Sequence, residues 1–255
     1  MAKKKKILFI GDSIIEGILG VDFLPEVMKH FPEWTWVNKG IGGDTLIGIS
    51  KRFLGELKKK NSYDLIVFEA GHNDLIIPQL EQMGFPFTMS AKSLKARGSV
   101  PADNLHHFSQ LYDDVLRKAK DLTSSPIIIT TLSCLNEDQN FILNQQRKEY
   151  NGVIRKVAYN NKCILADIGE YFDAELEGAE QTDFFLGTPM QVLLTDLLHS
   201  QIIQAPDKLS EQRGLHLTID GVHLNTAGAK IYEKIVVKAV QETGKTQKNG
   251  REVRD

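Results

Sequence analysis

The stretch Lys6-Ile7-Leu8-Phe9-Ile10-Gly11-Asp12-Ser13-Ile14 decides the fold. Four apolar residues stopped by Gly-Asp-Ser predict a short strand, Lys6–Gly11, that hands over to a helix near Ile14. The handover recurs along the chain. Further strands are predicted at Thr35–Lys39, Asp64–Ala70, Pro126–Leu132 and Lys162–Asp167, each ending where Gly, Asn, Asp or Ser residues begin. Between them lie helix-period segments such as Asn104–Asp121, where Phe108, Leu111, Tyr112, Val115, Leu116 and Ala119 recur three or four residues apart. Strands alternating with helices argue for a parallel sheet covered on both faces.

The last helix is predicted to start at Asn225 or Thr226, both good caps, and to stop near Gly244. Residues 245–255 are polar, have nothing to bury and are expected to be a mobile tail. Two stretches exceed a minimal alternation and read as insertions: 76–101, rich in Pro and Gly, and 182–217, which holds the apolar segment Met190–Ile203. A length of 255 residues fits one large α/β domain, here 1–244, with both insertions inside it.

Composition narrows the function. Hydrophobic residues make up 42% and charged residues 25%, the balance of an ordinary globular protein. The net charge of -2, from 31 basic and 33 acidic residues, provides no broad electropositive surface, so nucleic acid is excluded as the expected partner. Cys134 and Cys163 sit in or beside apolar runs, which suits buried free thiols rather than a disulfide scaffold. Lys3 to Lys6 followed by four apolar residues imitates a secretory signal. However, Gly11-Asp12-Ser13 breaks the apolar run, no small-residue cleavage site follows, and removal would delete the first strand. No stretch is long and apolar enough to span a bilayer, and the expected location is cytoplasmic.

Open parallel sheets place ligands beyond the carboxyl ends of their strands. Those ends carry Gly11-Asp12-Ser13, Asn38 to Thr45, and Gly71-His72-Asn73-Asp74; a late loop adds Asp220-Gly221-Val222-His223. Ester cleavage needs a nucleophile, a base, a group that orients the base, and donors for the oxyanion. Ser13, at a strand-to-helix turn, suits the first role; its alternative is a helix N-cap. Asp220 and His223 are spaced so that the carboxylate can accept from its neighbour's imidazole; the competing reading is a helix-entry turn with the acid on backbone N–H groups. Gly43 is the candidate main-chain oxyanion donor, against a plain loop before a helix capped by Asp44 or Thr45. Asn73 offers a side-chain amide, or else holds its own turn.

Gly-Asp-Ser-Ile at 11–14, the N-x-G-x-x-G-D-T run from Asn38 to Thr45, Gly71-His72-Asn73-Asp74 and Asp220-x-x-His223 appear in the order of the four blocks of the SGNH hydrolases, the GDSL esterase/lipase family. The chain resembles that family from its first strand to its last helix. The resemblance implies a flavodoxin-like three-layer α/β/α sandwich with about five parallel strands, and a serine hydrolase of small acyl esters. It implies a triad of Ser13, His223 and Asp220, and an oxyanion hole of the Ser13 N–H, the Gly43 N–H and the Asn73 amide. It also implies neither metal nor organic cofactor. Ile14 replaces the leucine of the family name, and Leu224 follows the histidine where many members have proline.

His72 is a further departure, since members often carry a small residue there. Its ring is expected either to line the pocket or to be a hydrogen-bonded core residue, and Asp12 is grouped with it as a candidate pocket residue. Phe85, Phe87 and Met89 in the first insertion and Phe184, Phe185 and Leu186 in the second are expected to form an apolar lid or to plug the core. Phe85, Phe87 and Phe184 are accordingly candidate pocket residues. The glycine loop fails the dinucleotide spacing, because position 45 is Thr. No G-x-S-x-G elbow occurs, and His106-His107, being adjacent, cannot share a metal on one helix face. The rival from another class is a non-catalytic module that binds an acylated sugar or lipid, which would have no need for nucleophile, base, orienting acid and oxyanion donors together.

Overall fold

The computed structural model describes residues 4–59, 62–180 and 182–252. In chain order the elements are β1 (Lys6–Gly11), α1 (Ser13–Glu16), α2 (Leu24–Lys29), β2 (Thr35–Gly40), α3 (Leu46–Lys58), β3 (Leu65–Phe68), α4 (His72–Gln82), α5 (Phe87–Ala96), α6 (Leu105–Leu122), β4 (Ile127–Thr130), α7 (Ile142–Asn160), β5 (Ile164–Ala166), α8 (Ile168–Leu176), α9 (Pro189–Gln191), α10 (Pro206–Arg213) and α11 (Thr226–Glu252). After α9 the chain winds through two π-helical turns, Val192–Asp196 and Leu198–Ile202.

The five strands form one parallel sheet in the order β2-β1-β3-β4-β5. All lie where the sequence places them. The last three are shorter than their apolar runs, because the chain leaves the ladder to build the site: Glu69 N–H still reaches Ile10 O at 3.0 Å, and by His72 the backbone is helical.

Side chains alternate across a strand, so an all-apolar strand feeds two cores. Leu8, Ile10, Ile66, Phe68 and Ile129 join one cluster with α3, α4, α6 and α7. Ile7, Phe9, Leu65, Val67 and Ile128 join the other with α1, α2, α8 and α11. The result is a three-layer α/β/α sandwich.

Caps fix the helix starts. Asn104 opens α6 by accepting the His107 N–H at 2.9 Å, and the stripe Phe108, Tyr112, Val115, Leu116, Ala119 is buried as its period predicts. Asn225 Oδ1 accepts the Gly228 N–H at 3.0 Å at the entry to α11. That helix corrects the expected stop near Gly244: it runs on to Glu252. A glycine costs about 1 kcal/mol in a helix but does not end one, and the flanking Lys, Gln and Glu are good helix formers. Most of the stretch expected to be a mobile tail is therefore helical, and residues 253–255 lie outside the described residues. Among the described residues no helix is long and apolar enough to cross a membrane.

Both expected insertions are largely helical: the first is the later part of α4 followed by α5, and the second contains α9, the π-helical turns and α10. The chain goes from β1 outward to β2, then returns past β1 to β3. The crevice at this reversal, beyond the carboxyl ends of β1 and β3, is where such sheets bind ligands.

Candidate active site

Ser13 and Asn73 sit on either side of that crevice, just after β1 and β3. The N-cap of α1 is Asp12, whose Oδ1 accepts the Ile14 N–H at 3.0 Å. Ser13 is thus spared the capping task. Its Oγ lies 3.0 Å from His223 Nε2.

His223 Nδ1–H donates to Asp220 Oδ2 at 2.7 Å. The other oxygen, Asp220 Oδ1, accepts the Val222 N–H at 3.0 Å and the His223 N–H at 2.8 Å. The two readings of Asp-x-x-His therefore hold together, one on each oxygen. Burial works against charge on His223, but the Asp220 carboxylate outweighs it, and Asp12 and Asp196 add to the effect, so the imidazole is raised above its usual value of 6.5. Burial likewise opposes ionisation of Asp220, yet His223 and the two backbone N–H groups hold its carboxyl below the ordinary 3.8.

The loop carrying this pair is fastened by residues after β4 and at the end of α10. Glu137, buried after β4, accepts the N–H groups of His216, Leu217 and Thr218 at 2.6, 2.9 and 2.8 Å. Arg213 Nη1 adds a bond to Ile219 O at 2.6 Å. Gly221 sits at φ +86°, with a Cβ position 2.2 Å from Phe184 O, so the turn between Asp220 and His223 admits no side chain there.

The 40–45 loop is held from α3. Arg52 donates from Nε to Asp44 Oδ2 at 2.8 Å and from Nη2 to Gly11 O at 2.9 Å, tying the loop to the end of β1. Thr45 occupies the N-cap position of α3, while Asp44 Oδ1 accepts the Thr45 N–H at 2.9 Å. Gly43 has φ +78°. Asn73 Nδ2 donates to Asp44 O at 3.0 Å, linking the third block to the second. Asp74 accepts the Leu46 N–H at 2.8 Å and the Ala102 N–H at 2.9 Å, and its burial raises the carboxyl to about 7.

Ser13, Gly42, Gly43, Asn73 and His223 line one cavity of about 910 Å³. Phe85 and Phe87 are in its wall, as are Met89 and Leu186. Three other candidates for the pocket lie outside the lining. Phe184 turns away to stack beneath Arg213, whose guanidinium carbon is 4.6 Å from the ring centre. Its neighbour Phe185 is buried against Phe141, with ring centres 5.2 Å apart. His72 and Asp12 are buried beneath the floor: His72 Nδ1 lies 2.8 Å from Glu69 Oε1 and 3.3 Å from Asp12 Oδ2, and Nε2 lies 3.2 Å from Ser133 Oγ. Burial disfavours the imidazolium, but the two carboxylates outweigh it and raise His72 to about 10. Glu69 is itself pushed up to about 7 by burial and by Asp12. Asp12, Glu69 and His72 approach closely enough to suggest metal ligands. Yet both ring nitrogens of His72 already have protein partners, Nδ1 the two carboxylates and Nε2 Ser133. The cluster is an ion-paired support beneath the Gly-Asp-Ser turn.

Arg52, Glu69 and Glu137 carry no motif, and sequence reasoning missed them. Their most distant partners lie 41, 57 and about 80 residues away along the chain. A buried acid at a strand end, Glu69 at the close of Leu65–Phe68, was the one available signal.

The architecture recurs in solved structures. An alpha/beta hydrolase enzyme from the metagenome of Lake Arreo, Spain, is similar with a TM-score of 0.61 at 17% identity, over 94% of this chain and 96% of that one. An acetylxylan esterase from Geobacillus stearothermophilus is similar with a TM-score of 0.59 at 19% identity, over 92% and 94%. At these identities the likeness is one of fold. No curated protein sequence matches the chain. The profile of the GDSL-like lipase/acylhydrolase family matches residues 9–231, a span that contains every residue of the cluster around Ser13. The chain therefore belongs to the GDSL-like lipase/acylhydrolase family, a family of carboxylic ester hydrolases.

Proposed function

We propose that the protein hydrolyses small acyl esters through an acyl-serine intermediate, with Ser13 as nucleophile, His223 as general base and Asp220 as its orienting acid. The observation that carries this reading is the unbroken line from Asp220 Oδ2 through His223, at 2.7 Å, to Ser13 Oγ, at 3.0 Å. Chain segments 210 residues apart meet there in an open cleft.

The Asp220 bond fixes the proton on Nδ1 and leaves the Nε2 lone pair facing Ser13. As Ser13 Oγ attacks the acyl carbonyl, its proton passes to Nε2, and Asp220 stabilises the imidazolium. The carbonyl oxygen becomes an oxyanion, received by the Ser13 N–H, the Gly43 N–H and the Asn73 amide. One Asn73 proton is committed to Asp44 O, which holds the amide in place and leaves the other for substrate. Collapse expels the alcohol, protonated by His223. Water then attacks the acyl-serine by the same route and releases the acid.

Removing Ser13 or His223 takes away the reacting pair while leaving the oxyanion donors. Ser13→Ala and His223→Ala are expected to lower kcat on p-nitrophenyl esters by on the order of 10⁴–10⁶ with little change in KM. Stopped-flow release of p-nitrophenol checks it; wild-type turnover in folded Ser13→Ala contradicts the assignment.

A further inference from the structure

We infer that the acyl group of the substrate is a medium-length or longer alkyl chain, lodged between α4, α5 and the 186–197 segment; this rests on the ester-hydrolase reading above. The cavity holds about 910 Å³, the upper end of the range for small-molecule sites, which gives room for an alkyl chain beside the leaving alcohol.

Its apolar wall begins at the reaction centre. A Cβ on Gly43 would lie 2.3 Å from Leu94 Cδ2, so the Leu94 side chain rests against the loop expected to hold the oxyanion. From there Leu80 and Phe87 continue the wall on one side, with Leu186 and Val192 on the other. At the mouth, large apolar side chains stand in water: Phe85 is 81% exposed, Met190 63% and Met89 59%, and all three belong to the lining. Apolar surface left exposed around a cleft marks a contact made by a ligand.

Besides Ser13 and His223, the polar side chains of the lining are Glu16, Asn73, Ser90, Ser93, Arg97 and Thr188, against a larger set of apolar ones. Against the apolar wall of Leu80, Phe87, Leu94, Leu186 and Val192 a sugar ring would leave hydroxyls without partners, which is costly, whereas a methylene chain loses nothing. The acetylated-carbohydrate chemistry named for one similar fold therefore does not suit these walls.

Initial rates on p-nitrophenyl esters from acetyl to dodecanoyl, below their aggregation concentrations, test this with the leaving group fixed. Each buried methylene is expected to raise kcat/KM about fourfold at first, with the optimum at octanoyl or beyond. Ser90→Trp places an indole into the cleft from α5 and is expected to lower the octanoyl-to-acetyl ratio roughly tenfold or more. Met190→Asp, at an exposed rim position, is expected to lower the same ratio and serves if Ser90→Trp does not fold. An optimum at acetyl, with activity lost in Ser13→Ala, overturns the acyl-chain inference and leaves the ester-hydrolase reading standing. A ratio unchanged in both folded variants overturns the placement of the chain in this cleft. Hydrolysis that persists in Ser13→Ala overturns the reading on which the inference rests.

Discussion

Asp220 divides its two oxygens between two tasks, and in the proposed mechanism the oxygen that holds the imidazole sets the pH at which His223 acts as a base. Oδ1 closes the turn by accepting two backbone N–H groups, while Oδ2 holds the imidazole. Because the carboxylate favours the imidazolium, His223 titrates above 6.5, and the acid limb of kcat/KM is expected above that value. Asp220→Asn removes the charge but can keep the turn. It is expected to lower kcat by on the order of 10⁴ and to move the acid limb to lower pH, as a pH–rate profile on a short ester would record. A limb that stays in place in this variant would mean that His223 is not the titrating base.

At the scale of elements, the strands bring residues to the crevice and the elements around it hold the connecting loops still. Arg52 on α3 bridges the 40–45 loop and the end of β1, so Arg52→Ala is expected to free Gly43 and weaken oxyanion binding. The predicted outcome is kcat lower by roughly 10–100-fold, with the acid limb unmoved because the Arg52 bonds go to Asp44, Lys39 O and Gly11 O rather than to His223. Equal kcat in wild type and variant, measured on the same ester, would show that the loop is held without it. The elements themselves could be read in the sequence, because strand ends, caps and apolar periods are local signals: Gly11-Asp12-Ser13 marks its turn, and Asn104 and Asn225 mark their helices. Arg52 and Glu137 could not be read so, since the contacts that tie distant segments are made to backbone atoms, Gly11 O for Arg52 and the N–H groups of 216–218 for Glu137, and a backbone carbonyl or N–H leaves no mark in the sequence. For the same reason Phe184 read as pocket wall. Its stacking on Arg213 depends on how two remote turns meet.

At the scale of the whole molecule, three buried groups, Glu69, His72 and Asp74, make stability fall as pH rises, whereas Asp220, held below its ordinary value, acts only at acid pH. Glu69 and Asp74 are each raised to about 7, so the folded state holds their protons more tightly than the unfolded chain does. Their contribution is full below their ordinary values and is lost as pH rises toward about 7. His72, raised to about 10, contributes fully below 6.5 and loses its share as pH rises from there to about 10. Denaturant midpoints are therefore expected to fall steadily above neutral pH. In His72→Gln, which lacks that proton, the decline above about pH 7 should flatten. A wild-type midpoint that rises between about pH 7 and 9 would contradict the ion-paired support beneath the Gly-Asp-Ser turn.

Activation of Ser13 by His223 and Asp220, as proposed, makes its hydroxyl reactive toward a fluorophosphonate, and peptide mass spectrometry locates the adduct. The expected result is one phosphonyl group on Ser13 in the wild type, slow labelling in His223→Ala and none in Ser13→Ala. An unlabelled wild type, or an adduct that persists in Ser13→Ala, would contradict it and leave a binding cleft without turnover.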